Sequence, residues 1–253
     1  MKDSTTKSNK IFLILGVVFI FLLWELLSLI SQNDFIVPSI SNTMKALGEI
    51  LTKSDTYNIL SSTILRLFTS ITICFILALT LAVFSNINER VKYFLKPLIS
   101  LLKTLPVATI IIMLLVMIGR SIAPYFIVGL VVLPLIYEIV LNALEAIDKD
   151  IIDEVKMVSS GKDFRVLKRI YLPLTTPYLL TSLIQAFGLG LKVLVMAEFI
   201  AETKNSIGEV IRFYKNEALT EYVFAWTIIL VLFILLIDLL LHYIKKKILY
   251  FYS

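Results

Sequence analysis

The sequence predicts an all-α, polytopic membrane protein with six transmembrane helices, and three observations carry that prediction. The chain has 253 residues, of which 58% are hydrophobic and only 17% charged, and its mean hydropathy is +0.91. Soluble domains run roughly 45–50% apolar and about a quarter charged, and a chain this short cannot bury the surplus in one core. The second observation is length. Stretches at 11–30, 59–85, 97–119, 122–143, 173–199 and 223–244 approach or exceed the roughly 20 helical residues that about 30 Å of hydrocarbon demands. The third is the sorting of charge. With the N-terminus inside, the inner segments hold 15 of the 24 Lys and Arg, the outer segments hold six, and Arg66, Lys103 and Lys192 lie within spans. This positive-inside bias places both termini in the cytoplasm of a multi-pass protein of the cell membrane.

The first stretch follows a basic start, Lys2, Lys7 and Lys10. It is longer than a signal core and no small-x-small pattern follows Ile30, so an uncleaved span is expected. Residues 35–51 read as a short amphipathic helix at the outer interface, with Ser41 as its cap and Ile40, Met44, Leu47 and Leu51 at helical spacing. Cys74, the only cysteine, falls in the second span, which excludes an intrachain disulfide and a thiol metal site. A short basic inner hairpin is expected at 86–96 and a tight outer turn at 120–124. The largest inner segment, 148–172, is charged yet keeps helical periodicity through Ile151, Val155 and Val158, then Phe164, Leu167 and Ile170. A simple chain reversal needs only a few residues, so a segment this long is expected to dock something cytoplasmic. The outer connection at 202–221 is acidic, with Ser206-Ile207-Gly208 as a turn. The whole chain, 1–253, reads as one membrane domain.

Catalytic chemistry is poorly supported. No G-x-x-x-x-G-K-[ST] loop is present, and the single histidine, His242, excludes a histidine cluster and leaves no plausible Ser/His/Asp set. The chain is therefore not expected to be an enzyme, and uphill movement of a solute needs energy from another chain.

The inner segment carries the most specific pattern. Residues 154–173 read EVKMVSSGKDFRVLKRIYLP. They resemble the cytoplasmic motif of permease subunits of binding-protein-dependent ABC importers, written E-A-A, three residues, G, nine residues, I, one residue, L-P. Glu154, Ile170, Leu172 and Pro173 match; Val155 and Lys156 replace the alanines, and Ser160 holds the glycine position with Gly161 one place later. Trp24-Glu25, Val37-Pro38-Ser39, Lys103-Thr104-Leu105-Pro106, Gly119, the AEFIA at 197–201 and the SIGEVI at 206–211 resemble, in order, markers of the nitrate, sulfonate, taurine and thiamine-precursor group. The resemblance implies a type I importer permease, paired with a second copy or a close homologue. It implies an ABC ATPase partner that binds the ATP and Mg, no cofactor on this chain, and an external substrate-binding protein. It also implies that Glu154, Ser159, Ser160, Gly161, Lys162, Phe164, Arg165, Leu167 and Arg169 couple the chain to the ATPase. In physical terms, small Ser159, Ser160 and Gly161 allow close backbone approach, Phe164 and Leu167 form an apolar key, and the basic residues form a rim. The alternative for this segment is an amphipathic helix resting on lipid headgroups. For the whole chain the alternatives are an ion-coupled secondary transporter or a membrane anchor for a cytoplasmic partner.

Within the fifth span, Thr181, Gln185, Gly188 and Lys192 recur on one helical face. Lipid penalises such a stripe, so it reads either as lining a translocation pathway, with Lys192 available to an anionic substrate, or as helix–helix hydrogen bonding with Lys192 snorkelling outward. Glu198 lies beyond it, about 120° around from Lys192, and its match to the family's Ala-Glu marker implies an outer-gate or structural role. Glu138, Asn142 and Glu145 share one face, as do Ser62, Arg66 and Thr69, and Asp238 with His242. Solvated ends or interhelical pairing account for these groups.

Overall fold

The computed structural model describes residues 2–147 and 172–252, with side chains over 11–147 and 173–247. Among them there are nine helices and no strand: α1 (Lys2–Ser31), α2 (Ile40–Thr52), α3 (Ser54–Ile87), α4 (Glu89–Thr104), α5 (Val107–Ile118), α6 (Ala123–Glu145), α7 (Leu172–Ala201), α8 (Ile207–Asn216) and α9 (Thr220–Tyr252). Five of them, α1, α3, α6, α7 and α9, are long and apolar enough to cross a membrane. The chain divides into two compact units, one of residues 1–58 and 210–230, the other of 59–209 and 231–253.

The third expected span, 97–119, is not one helix. It is the pair α4 and α5, bent by 101°. Leu105 and Pro106 are both extended, with ψ of 130° and 129°. A proline disfavours helical geometry in the residue before it and has no N–H to donate, so a helix tends to end there. The expected loop at 86–96 is also largely helix. Asn88 caps α4 by accepting from Arg90 N at 3.0 Å, with Glu89 in the first turn, which leaves only the Ile87–Asn88 junction as a connection.

In the first unit, α2 is capped by Ser39 rather than Ser41; its hydroxyl accepts from Asn42 N at 3.2 Å. The helix buries Thr43, Ala46 and Ile50, while Met44 and Leu51 of the expected apolar face stay exposed. Trp24 Nε1 donates to Pro38 O at 3.0 Å, and Ile40 N donates to the Glu25 carboxylate at 3.4 Å. Trp24-Glu25 and the Val37-Pro38-Ser39 turn, two separated markers in the sequence, are thus the two halves of one contact. The Trp24 ring packs against Phe224 at 5.5 Å. Tyr222 stacks on Tyr214, lies under the Lys53 ammonium and bonds the Glu49 carboxylate. Between Ile11 and Ile30, most of α1 beyond these contacts is exposed apolar surface.

In the second unit α6 is the axis. It buries twelve residues, including Ile127, Val128, Val132, Ile136 and Tyr137, and packs on α4, α5 and above all α7. The α7 backbone approaches α3 closely at Gly190, where a Cβ would stand 3.3 Å from both Leu67 Cδ1 and Ile71 Cδ1. The Phe68 and Phe187 rings meet at 4.9 Å beside this approach. Tyr137 donates to Ser85 at 2.9 Å, so two buried hydroxyls of this unit satisfy each other.

Candidate functional site

The face of α7 read from the sequence is sorted by burial. Ala186, Phe187, Gly190, Leu191, Val193, Leu194 and Ala197 are buried, whereas Gln185, Lys192 and Met196 are exposed and Gly188 is partly so. Nothing lies within 4 Å of a Cβ built on Gly188. By the 100° step of an α-helix the open residues fall within about 80° of one another, opposite the packed side. Lys192 has no ion-pair partner among the described residues. Thr181 is drawn into the protein instead: it donates to Pro177 O at 2.7 Å and accepts from Lys245 Nζ of α9 at 2.9 Å.

Glu198 does not share that open face. Its side chain is fully buried, and its carboxylate is the centre of a cluster. Arg66 of α3 donates to it at 3.0 Å, Thr63 at 3.1 Å, and Gly208 N at 3.4 Å. Arg66 also donates to Asn205 O at 3.2 Å and Lys204 O at 3.0 Å, and Thr63 accepts from Ile207 N at 3.1 Å. A buried charge is tolerated when it is paired and its remaining lone pairs are hydrogen-bonded, as here. The cluster joins α3, the end of α7 and the start of α8. The expected turn at 206–208 is the opening of α8: Ser206 Oγ accepts from Glu209 N at 3.0 Å, the Ser-x-x-Glu pattern of a capping box. Gly208 is required on steric grounds, because a Cβ there would stand 2.3 Å from Phe199 N and 2.5 Å from Glu198 Cβ. The AEFIA stretch and residues 206–209, the start of SIGEVI, therefore pack as one piece.

The Ser62, Arg66 and Thr69 face does not act as a unit. Thr69 bonds its own helix at Leu65 O, and the residue that joins Arg66 is Thr63, which the sequence reading missed. Its signal was the three-residue spacing to Arg66. Interhelical pairing does account for the C-terminal end of α6: Lys103 pairs with Glu138 at 2.8 Å, and Lys92 with Glu145. Asp238 and His242 pair along α9 at 3.3 Å. The nine coupling residues from Glu154 to Arg169 lie outside the described residues.

Residues 74–250, more than half of the chain, match a family model described as the binding-protein-dependent transport system inner membrane component. The chain belongs to that family. No curated protein matches it. It is thus a permease component of an ABC transport system, with the type I permease fold, and a multi-pass membrane protein. The family implies an ABC ATPase and a substrate-binding protein as the partners of the permease. The family is one of membrane permease components rather than of catalytic enzymes.

Proposed function

We propose that two copies of this permease form the pathway of an ATP-driven importer for a small solute of the nitrate, sulfonate, taurine or thiamine-precursor type. The N- and C-termini lie in the cytoplasm, and segment 148–172 docks the ATPase, which holds the ATP and Mg; the external binding protein delivers the solute. Gln185, Gly188 and Lys192 line the pathway, Thr181 closes the inner end of the stripe, and Glu198 fixes the outer end in place from within the protein. The observation that supports this reading most is the open polar face of α7 set against its fully packed opposite face. Lipid penalises an exposed glutamine and lysine at the middle of a helix, and a second copy or a water-filled path does not.

The test is co-isolation. Membrane extracts should yield the permease with an ATPase whose turnover rises when loaded binding protein is added. Ser160→Trp, or deletion of 159–164, should abolish both association and uptake; retention of both refutes the docking role. The solute is identified by the ligand that stays on the cognate binding protein through purification.

A further inference from the structure

We propose that the cavity between α4 and α6 is a binding site for the phosphate headgroup of an anionic phospholipid, with Lys96 as the group that engages it. The cavity has a volume of about 760 Å³, in the range of sites that enclose a small ligand. Lys92, Lys96 and Lys103 all line it, and the helical step puts them within about 40° of one another on α4. Two of the three are neutralised, Lys92 by Glu145 and Lys103 by Glu138. Those two pairs set an antiparallel register between α4 and α6 that brings Lys96 opposite Asn142, a neutral residue that also lines the cavity. The result is a charge ladder whose middle rung lacks its anion: Lys96 is exposed and has no ion-pair partner among the described residues.

The rest of α4 points to a lipid rather than a free ion. Tyr93, Ser100 and Thr104 line the cavity and lie on the helix between the lysine row and a row formed by Phe94, Leu98 and Leu101. That third row is apolar and exposed, Phe94 by 78%. Cation, hydroxyl and hydrocarbon thus follow one another around α4 in the order of a phospholipid's phosphate, glycerol ester region and acyl chains. Basic pockets between transmembrane helices on the cytoplasmic side bind anionic headgroups, and the orientation proposed above puts this end of α6 in the inner leaflet. The lipid site depends on that orientation for its leaflet but not on which solute is carried.

The full chain is purified, equilibrated with mixed micelles of phosphatidylcholine and phosphatidylglycerol in equal amounts, and its retained lipid measured by mass spectrometry. Phosphatidylglycerol should be enriched on the wild type, and Lys96→Gln should lower the enrichment about fivefold, the contribution expected of one lysine near an anionic surface. Lys96→Arg should keep it. Asn142→Asp supplies the missing carboxylate and should lower the enrichment as much as Lys96→Gln; because it alters an exposed side chain, it decides the matter even if Lys96→Gln aggregates. Inorganic phosphate in excess should leave the lipid bound; if phosphate displaces it and is itself retained, the site is for a free oxyanion and the lipid assignment fails. Equal enrichment on the wild type, Lys96→Gln and Asn142→Asp overturns the proposal, whether or not ATPase co-isolation succeeds.

Discussion

Replacing Arg66 with methionine removes the cation that neutralises a carboxylate with no exposed surface. The Arg66 side chain is itself only 13% exposed, and it carries two further bonds to the 204 and 205 carbonyls. Breaking a buried pair by deleting one partner typically costs about 3–5 kcal/mol, because the remaining charge stays desolvated. For a chain of this size that corresponds to a fall of about 6–20 °C in melting temperature. Glu198→Gln keeps the shape and most of the bonding but loses the charge, so its cost is nearer the roughly 1–3 kcal/mol of an imperfectly satisfied buried group. The double variant is the decisive member. With both charges gone, Arg66→Met/Glu198→Gln should lose less than the sum of the two single losses, by a coupling of about 0.5–3 kcal/mol between contacting residues. The assay is thermal unfolding of the purified protein in one detergent for the wild type and the three variants. Additive losses, or an Arg66→Met that melts with the wild type, would refute the claim that this cluster holds α3, the end of α7 and the start of α8 together.

Other changes probe neighbouring features. Gly208→Ala must displace backbone at Phe199 N, 2.3 Å from the new Cβ, so it should lower expression and melting temperature more than Gly188→Ala, which meets nothing; equal behaviour would count against the close approach. Ser206→Ala removes the α8 cap and should cost about 1 kcal/mol, seen as faster amide exchange over 207–210. In a Cys74→Ala background, single cysteines at Gln185 and Lys192 should react with a charged thiol reagent in the assembled transporter, and cysteines at Phe187 and Leu194 should not; protection of the first pair would remove the pathway assignment. Lys192→Ala should slow uptake of an anionic solute, and unchanged transport would exclude Lys192 as a substrate contact.

Apolar runs of bilayer length were enough to find α1, α3, α6, α7 and α9, since a transmembrane helix advertises itself by composition alone. The same averaging hid the break at Leu105-Pro106, because a hydropathy window is blind to a missing N–H. The proline was visible, but so were Pro97, Pro134 and Pro177, and those lie inside helices that continue through them. The stripe on α7 was legible because polar residues in lipid are few and periodic. Glu198 was harder: its partners Thr63, Arg66 and Gly208 are distant in sequence, and a single chain gives no signal of which acid meets which base. The cap of α2 was misplaced by two residues because Ser39 and Ser41 are both competent, and only the path of the preceding chain chooses between them.

The bend between α4 and α5 has a consequence for the protein's surroundings. At the break Leu105 N still bonds Leu101 O, and the Thr109 and Ile110 amides turn back to Pro106 O, but an interrupted ladder strands other peptide groups at the end of one helix and the start of the next. Leu105, Pro106, Ala108 and Thr109 are all exposed in the single chain. Hydrocarbon offers stranded amides and carbonyls nothing, and non-helical backbone at membrane depth persists only against protein or water. This elbow is therefore a place that acyl chains cannot solvate. Under the proposed assembly of two copies, the elbow is where partner protein or the water of the pathway takes up those groups.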